Sequence, residues 1–506
     1  MISSGIRRQG LWALPVLLMG FPPAAWGDVP GAAAGGVAEL DAVVEPFFEL
    51  GMAPGMAVAV VDGEDLVYAR GFGVADVETG EPVRPDTLFY VASTTKSLTA
   101  AAAAVLAQRG AIDLDAPIAA ALPDLALAPP LSAATITLRD LLTLTHGIAD
   151  GGPVVFRTAY SGEHSPELLL RLLAAYPPAA SGREFAYGNL GYNVAGLVLE
   201  ALLGASWKEI VEREILAPVG MVDTRASLAG AGARLAAPHE PTADGFRRIR
   251  FAKADANLHA AGGHVSTVLD LARWLEVQLN AGRLDGRQVL PAAAIAETQR
   301  HQADQDREFG AYHRDGWGLG WDLGTYRGER LVHRFGSFAG FRSHVSFLPE
   351  KRLGVAVLVN DGALGAMVAD LVANAIYDHR LDGAAAAATR RATLEQAAQR
   401  VAMGRRQLAD HLAERAARSQ DLPHPRAAYT GAFENPDYGV MRWTLDGDAL
   451  QVTIGLAEST AEVYDAAANQ LRVELTGGGE VVTFAFADGR AVSVSYAGRE
   501  FERTGD

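Results

Sequence analysis

A serine and a lysine lie three residues apart in the segment 93–96 (STTK), which opens an alanine-rich apolar stretch from Leu98 to Gln108. The stretch predicts a buried helix, with Ser93 near its N-terminus and Lys96 about one turn further along the same face. A serine hydroxyl becomes nucleophilic when a nearby base takes its proton. Burial lowers the pKa of a lysine, which makes Lys96 a candidate base. The alternative is that Ser93 caps the helix and Lys96 is a surface charge.

A second candidate group lies in the segment 185–193, which contains Tyr187 and Asn189. A tyrosine near a lysine ammonium ionises more easily and can relay a proton. An asparagine amide can hold a substrate carbonyl or the lysine. The alternative is a turn with a packed tyrosine.

The segment 333–341 contains a third candidate group: His333, Arg334, Gly336 and Ser337. A glycine allows a backbone to approach a substrate closely, and the following N–H can complete an oxyanion hole. The alternative is a glycine-rich hairpin between two strands.

The composition argues against several other chemistries. The chain has 506 residues and no cysteine, which excludes disulfides, thiolate metal sites and a cysteine nucleophile. No glycine directly precedes a lysine, so there is no P-loop, and the scattered histidines give no support to a metal site. The formal net charge of −16 argues against a nucleic-acid partner.

Strand-like runs at both ends of the first 380 residues predict the elements that position these groups. Two runs near residues 56–61 and 66–70 flank a hairpin signal, and two more lie at 343–348 and 354–360. Helical patterns fill the sequence between them. This order predicts a sheet closed by its terminal strands, with a helical insert.

Three further segments complete the predicted organisation. Residues 1–27 have the order of a secretory signal peptide, with an uncleaved anchor as the alternative, so we expect a periplasmic or secreted protein without a transmembrane span after cleavage. The three candidate groups described above fall in a predicted domain at 38–383. A helical linker is predicted at 384–422. Alternating runs at 423–506 predict a small antiparallel barrel or sandwich.

Taken in order, the S-x-x-K, Y-x-N and glycine segments resemble the serine β-lactamase and penicillin-binding-protein superfamily. The resemblance is to its class C-like hydrolases, which include D-aminopeptidases, D-Ala-D-Ala carboxypeptidases and esterases, and it covers about residues 40–380. It implies an α+β fold: a β-lactamase-like antiparallel sheet flanked by helices with a helical insert, plus a small C-terminal β-barrel domain.

The same resemblance implies roles for individual residues. Ser93 would be the acylated nucleophile, Lys96 would take or relay its proton, and Tyr187 would be the partner base. Asn189 would orient the substrate, and the N–H groups of Ser93 and Ser337 would form the oxyanion hole. No metal or other cofactor is implied. The expected partner is a small-molecule or peptide substrate, and the oligomeric state stays open.

One position departs from the family pattern. Two residues before Gly336 the family has lysine or histidine, whereas this chain has Arg334, with His333 one residue earlier. Either Arg334 binds an anionic end of the substrate, as a guanidinium can, or it points to solvent and His333 is functional. The expected activity is a secreted peptidase, carboxypeptidase or esterase. A true β-lactamase and a non-catalytic cell-wall peptide sensor are the alternatives.

Overall fold

The computed structural model describes residues 34–505. The predicted signal peptide at residues 1–27 therefore lies outside the described residues. Within the described range, no helix combines the length and the apolar character that crossing a bilayer requires.

A sheet of eight antiparallel strands forms the centre of the first part of the chain, in the order β2-β1-β8-β7-β6-β5-β4-β3. The first strand pairs with the last, with Met56 opposite Val359, so the predicted closure by the terminal strands is confirmed. The strands are β1 Gly55–Asp62, β2 Asp65–Gly73, β3 Ala303–Phe309, β4 Tyr312–Trp317, β5 Asp322–Tyr326, β6 Glu329–Phe338, β7 Phe341–Leu348 and β8 Leu353–Val359.

Helices cover both faces of this sheet. Successive side chains of a strand point to opposite faces, and in β1 Ala57 and Ala59 join one hydrophobic core while Met56 and Val58 join the other. The longer helices are α1 Ala34–Phe48, α2 Thr95–Gln108, α3 Pro166–Leu173, α4 Leu190–Leu203, α5 Val268–Leu279, α6 Ala292–Gln299, α7 Gly365–Asp382 and α8 Ala386–Ala416. Shorter helices are Leu138–Leu142, Gly152–Phe156, Trp207–Val211 and Ala217–Val219, and short strand pairs are Phe89–Tyr90 with Val265–Ser266, His239–Pro241 with Phe246–Arg248, and Arg283–Leu284 with Arg287–Gln288.

The C-terminal part is a nine-stranded antiparallel sheet in the order β12-β11-β10-β9-β17-β16-β15-β14-β13. Its first strand pairs with its last, and its two edge strands follow each other in the chain, so the sheet nearly closes on itself. The predicted fold class, α+β with a small antiparallel barrel, is confirmed. The strands are β9 Gly431–Asn435, β10 Gly439–Asp446, β11 Ala449–Ile454, β12 Ala457–Thr460, β13 Glu462–Asp465, β14 Gln470–Val473, β15 Glu480–Ala487, β16 Arg490–Tyr496 and β17 Arg499–Gly505.

Candidate active site

A short 3₁₀ turn at Ala92–Thr94 leads into α2 and presents Ser93 at the helix N-terminus. Ala92 has a φ of +45°, a left-handed value that residues other than glycine seldom adopt and that is often found at functional sites. Lys96 lies one turn later, fully buried, and its Nζ donates a hydrogen bond to Ser93 Oγ at 3.1 Å. The alternative in which Lys96 is a surface charge therefore does not describe this structure.

The surroundings of Lys96 favour its neutral form. Its Nζ also donates to Asn189 Oδ1 at 2.7 Å and to the carbonyl oxygen of Ala261 at 2.9 Å. Both acceptors are uncharged, so the ammonium is solvated by dipoles rather than by a contacting carboxylate. Burial lowers the pKa of Lys96, the neighbouring Tyr187 raises it by less, and the nearby charge of Arg334 lowers it again, so the net pKa lies below its ordinary value. A lysine with a lowered pKa can accept a proton from a hydroxyl.

Tyr187 lies between two basic side chains. The centre of its ring is 5.1 Å from Lys96 Nζ, and its hydroxyl accepts a hydrogen bond of 2.8 Å from Arg334 Nη2. Burial of the hydroxyl raises the pKa of Tyr187, but Arg334 and then Lys96 lower it, and the net pKa lies below its ordinary value. The phenolate form that a general base needs is thereby stabilised.

Arg334 and His333 point in different directions because they are neighbours on β6. Arg334 is buried and faces Tyr187, while its Nη1 donates to Asp322 Oδ2 at 3.1 Å. His333 is also buried, but its ring packs 4.5 Å from that of Phe335 and its Nε2 accepts from Arg314 Nε. The structure brings Arg334 into the site and leaves His333 outside it. The alternative in which Arg334 points to solvent is therefore wrong.

Gly336 allows β6 to lie directly against the turn that carries Ser93. A Cβ atom on Gly336 would lie 2.0 Å from the carbonyl oxygen of Val91 and 2.4 Å from Ser343 Oγ. Atoms cannot approach so closely, so the position requires glycine. Ser337 follows with an exposed side chain and lines the same cavity as Ser93.

Two carboxylates that the sequence reasoning missed support these groups. Asp150 Oδ1 accepts from the backbone N–H groups of Asn189 and Leu190 at 2.9 and 2.8 Å, and so caps the N-terminus of α4. Asp322 is buried and holds Arg334. Asp150 lies 39 residues before Asn189 in the chain, and no local spacing signals that contact. The carboxylate also explains Gly188, whose added Cβ would lie 2.2 Å from Asp150 Cγ.

These groups open into a cavity of about 330 Å³. Its lining is strongly basic for so acidic a protein: it has four arginines and one aspartate. The arrangement combines the Ser93 hydroxyl, two groups that can move its proton, and the strand β6, which Gly336 allows to lie close by. Together these groups can carry out acyl transfer through a serine. The lining residues are Ser93, Phe185, Tyr187, Asn189, Gln305, Arg307, Phe309, Arg314, Asp322, Arg334, Phe335, Ser337 and Arg342.

Comparison with known proteins identifies relatives of the first part of the chain. The profile of the family described as Beta-lactamase matches residues 40–378. The D-alanyl-D-alanine-carboxypeptidase/endopeptidase AmpH of Escherichia coli K12 is 28% identical over 329 residues, which are 62% of this chain and 80% of that protein. The unguisins hydrolase ungD of Aspergillus violaceofuscus is 26% identical over 336 residues, 61% of this chain and 58% of that protein. The match thus spans little more than half of the fungal relative.

A solved structure resembles nearly the whole chain. The octameric penicillin-binding protein homologue from Pyrococcus abyssi superposes with a TM-score of 0.59 at 22% identity, over 92% of this chain and 99% of that one. At this identity the likeness concerns the fold, and it includes the C-terminal part of the chain.

Proposed function

Because the chain belongs to the β-lactamase family of serine hydrolases, we propose that it is a secreted enzyme that cleaves an ester or a peptide-like amide through an acyl-enzyme on Ser93. The observation that carries the proposal is the grouping of Ser93, Lys96 and Tyr187: Lys96 Nζ donates a hydrogen bond to Ser93 Oγ at 3.1 Å and lies 5.1 Å from the centre of the Tyr187 ring. Two relatives, a carboxypeptidase/endopeptidase and a hydrolase of unguisins, favour a peptidase or carboxypeptidase over an esterase, which the same catalytic groups would also allow.

In the proposed first step, Ser93 Oγ attacks the substrate carbonyl while its proton passes to Lys96 or to the Tyr187 phenolate. The carbonyl oxygen becomes an oxyanion, which accepts hydrogen bonds from the N–H groups of Ser93 and Ser337. The carbon–nitrogen or carbon–oxygen bond then breaks. The leaving amine or alcohol takes this proton from Tyr187, to which Lys96 passes it if Lys96 received it first, and the acyl group stays on Ser93.

In the second step, Tyr187 removes a proton from a water molecule, which attacks the acyl carbon. The ester bond to Ser93 breaks, Ser93 Oγ takes from Tyr187 the proton that came from water, and the carboxylic acid leaves. Asn189 holds Lys96 and orients the substrate amide. Arg334 holds the Tyr187 hydroxyl and favours its ionised form through positive charge.

Two other functions remain as competing hypotheses. A true β-lactamase would use the same groups and would turn over penicillin rapidly. A non-catalytic sensor of cell-wall peptides would bind through the same cavity without acylation. The buried Lys96 and the lowered pKa of Tyr187 favour catalysis over sensing, because both have a direct use in proton transfer.

Intact-mass analysis after incubation with a fluorophosphonate, and separately with a penicillin, tests the proposal. We expect an adduct on Ser93 that is absent from Ser93→Ala and present in Ser419→Ala, which removes an exposed hydroxyl on the chain after α8. A long-lived penicillin adduct supports a peptidase, and rapid penicillin turnover supports a β-lactamase. An adduct that persists in Ser93→Ala, or none in the wild type, would contradict the proposal.

The proposal includes the predicted organisation of the chain. Residues 1–27 would be removed on export, which places the mature enzyme in the periplasm or outside the cell. Residues 38–383 would form the hydrolase domain, 384–422 the helical linker, and 423–506 the barrel domain. N-terminal sequencing of the exported protein tests cleavage before Asp28.

A further inference from the structure

We propose that the C-terminal barrel, residues 431–505, forms one wall of the substrate cleft. The other wall belongs to the hydrolase body, residues 38–383. The groove between the barrel and the hydrolase body holds an extended polar peptide on one side of the scissile bond. This inference rests on the proposed function and adds the size and polarity of the substrate. It also gives the barrel a role in recognition.

The groove has a volume of about 810 Å³ and is lined from both parts of the chain. One wall comes from the barrel strand β12 and the segment 474–477, and another from the segment 247–252 of the hydrolase body. Ser337 lines both this groove and the cavity that contains Ser93. The two spaces therefore adjoin at Ser337, the proposed oxyanion donor, so a ligand can extend from one into the other.

The groove walls are polar and carry charges of both signs. Arg250 of the body pairs with Glu458 of the barrel at 2.6 Å, and Arg472 pairs with Glu474 at 2.6 Å. Since these charges are largely neutralised by each other, the walls offer hydrogen-bonding groups without a strong net field. Such walls suit a peptide with polar or mixed-charge side chains better than an apolar chain or a polyanion.

The barrel is fixed to the body through an aromatic side chain. Phe156 belongs to the body but is buried in the hydrophobic core of the barrel, with its ring 5.3 Å from that of Tyr438 and 6.2 Å from that of Tyr496. The carbonyl oxygen of Ser161 accepts a 2.9 Å hydrogen bond from Leu456 N. The barrel is thus held at a defined distance from the site.

The segment 156–161 also connects the barrel to the end of β6, which carries Ser337. The ring of Tyr160 lies 6.1 Å from that of Phe156 and 6.3 Å from that of Phe338, the residue after Ser337. On the barrel side, a Cβ on Gly477 would lie 3.2 Å from the Cβ of Ala339, so Gly477 packs closely against the Ala339 side chain. The barrel therefore borders the position of the reacting carbonyl.

The volume of the groove indicates the size of the substrate. Cavities of about 300–1,000 Å³ enclose a drug-sized ligand, and a groove at the upper end of that range holds several residues of peptide. A small ester would use the Ser93 cavity alone. We therefore infer that catalytic efficiency rises as the peptide is extended into the groove.

Thr460→Trp tests the inference because Thr460 is an exposed residue of β12 that lines the groove. The matched control is Thr444→Trp, on an exposed barrel position outside the groove lining. The substrates are a p-nitrophenyl ester of acetate and two series of mixed-charge peptides, of one to four residues, extended on the acyl or the leaving side, in D and L forms. In the wild type we expect kcat/KM to rise at least tenfold with length in one series. Thr460→Trp should lower the ratio of kcat/KM for its longest member to that for the ester at least tenfold, whereas Thr444→Trp should keep the wild-type ratio.

Binding gives a readout that needs no turnover. We expect the longest peptide to bind Ser93→Ala at least tenfold more tightly than it binds the double variant with Thr460→Trp. Equal binding by the two proteins, or no effect of peptide length in the wild type, would overturn the inference. Loss of ester hydrolysis in Ser93→Ala tests the proposed function separately, so the two can fail independently.

Discussion

Arg334 has most of its donors committed within the protein. Its side chain makes four hydrogen bonds: to Asp322, to Tyr187, and two to the carbonyl oxygen of Phe335. A guanidinium has five N–H donors, so little remains for a substrate carboxylate. This geometry favours a role for Arg334 in positioning and ionising Tyr187 over the anion binding that the sequence suggests.

Replacing Arg334 by glutamine should move the rising limb of the pH profile of kcat/KM to higher pH. The positive charge lowers the pKa of both Tyr187 and Lys96, so its removal raises both, and each proton acceptor becomes available only at higher pH. A shift of one pH unit corresponds to a roughly tenfold loss of rate below the limb. Kinetics from pH 5 to 10 with a small ester measure this.

Arg334→Lys is the control for charge, because it keeps a cation without the planar fork. We expect a limb closer to that of the wild type. If Arg334→Gln keeps the wild-type limb and only raises KM for substrates with an anionic end, Arg334 binds substrate instead.

At the scale of elements, the site depends on the contact between β6 and the turn before α2. Ser343 on β7 strengthens this contact, since its Oγ donates to the carbonyl oxygen of Val91 at 2.8 Å and also lies 2.8 Å from Thr94 Oγ1. The candidate oxyanion donors lie on opposite sides of this contact, at Ser93 and Ser337. Their separation is therefore set by how closely the strand and the turn pack.

Gly336→Ala should move the two candidate oxyanion donors, the N–H groups of Ser93 and Ser337, apart. The added methyl group would overlap the carbonyl oxygen of Val91, and overpacking of this kind costs about 1–3 kcal/mol of stability. We expect a lower free energy of unfolding and a fall in kcat larger than any change in KM, since the oxyanion forms only during reaction. Urea unfolding and steady-state kinetics check both effects.

Gly478→Ala is the matched control, because nothing lies within 4 Å of a Cβ built there. It should keep wild-type kinetics. Unchanged kcat in Gly336→Ala would show that Ser337 contributes no donor to the reaction.

Periodicity was enough to predict some elements and not others. The helix that carries Lys96 and directly follows Ser93 is marked by its apolar run, and the alternation of β6 places neighbouring residues on opposite faces. Alternation alone does not say which face of β6 contacts Tyr187. The choice between His333 and Arg334 therefore required the three-dimensional structure. The alternating runs within 423–506 predict five of the nine barrel strands, β10, β11, β14, β15 and β16, and miss β9, β12, β13 and β17. Two of the missed strands, β12 and β13, are four residues long and lack the alternating aliphatic pair that marks the equally short β14, Leu471 and Val473.

At the scale of the whole molecule, the barrel and the hydrolase body share a hydrophobic core at Phe156. The body also donates from Arg157 Nε to the carbonyl oxygen of Asp437 at 2.6 Å. Arg157 is buried, and burial lowers its pKa. Burial of a charged side chain between the two parts indicates a permanent contact rather than a loose tether.

Phe156→Ala should therefore weaken the barrel and the site together. Truncation of a buried phenylalanine costs about 3–5 kcal/mol, and here the loss falls on the barrel core and on the Tyr160 ring that reaches Phe338. We expect faster amide exchange in β10, in β16 and in residues 157–161, together with a higher KM for long peptides. Tyr464→Ala, which removes a ring that is 49% exposed, should change the free energy of unfolding by less than about 1 kcal/mol. Faster exchange confined to the barrel, with residues 157–161 and peptide kinetics unaltered, would mean that Phe156 stabilises the barrel without linking it to the strand end at Ser337.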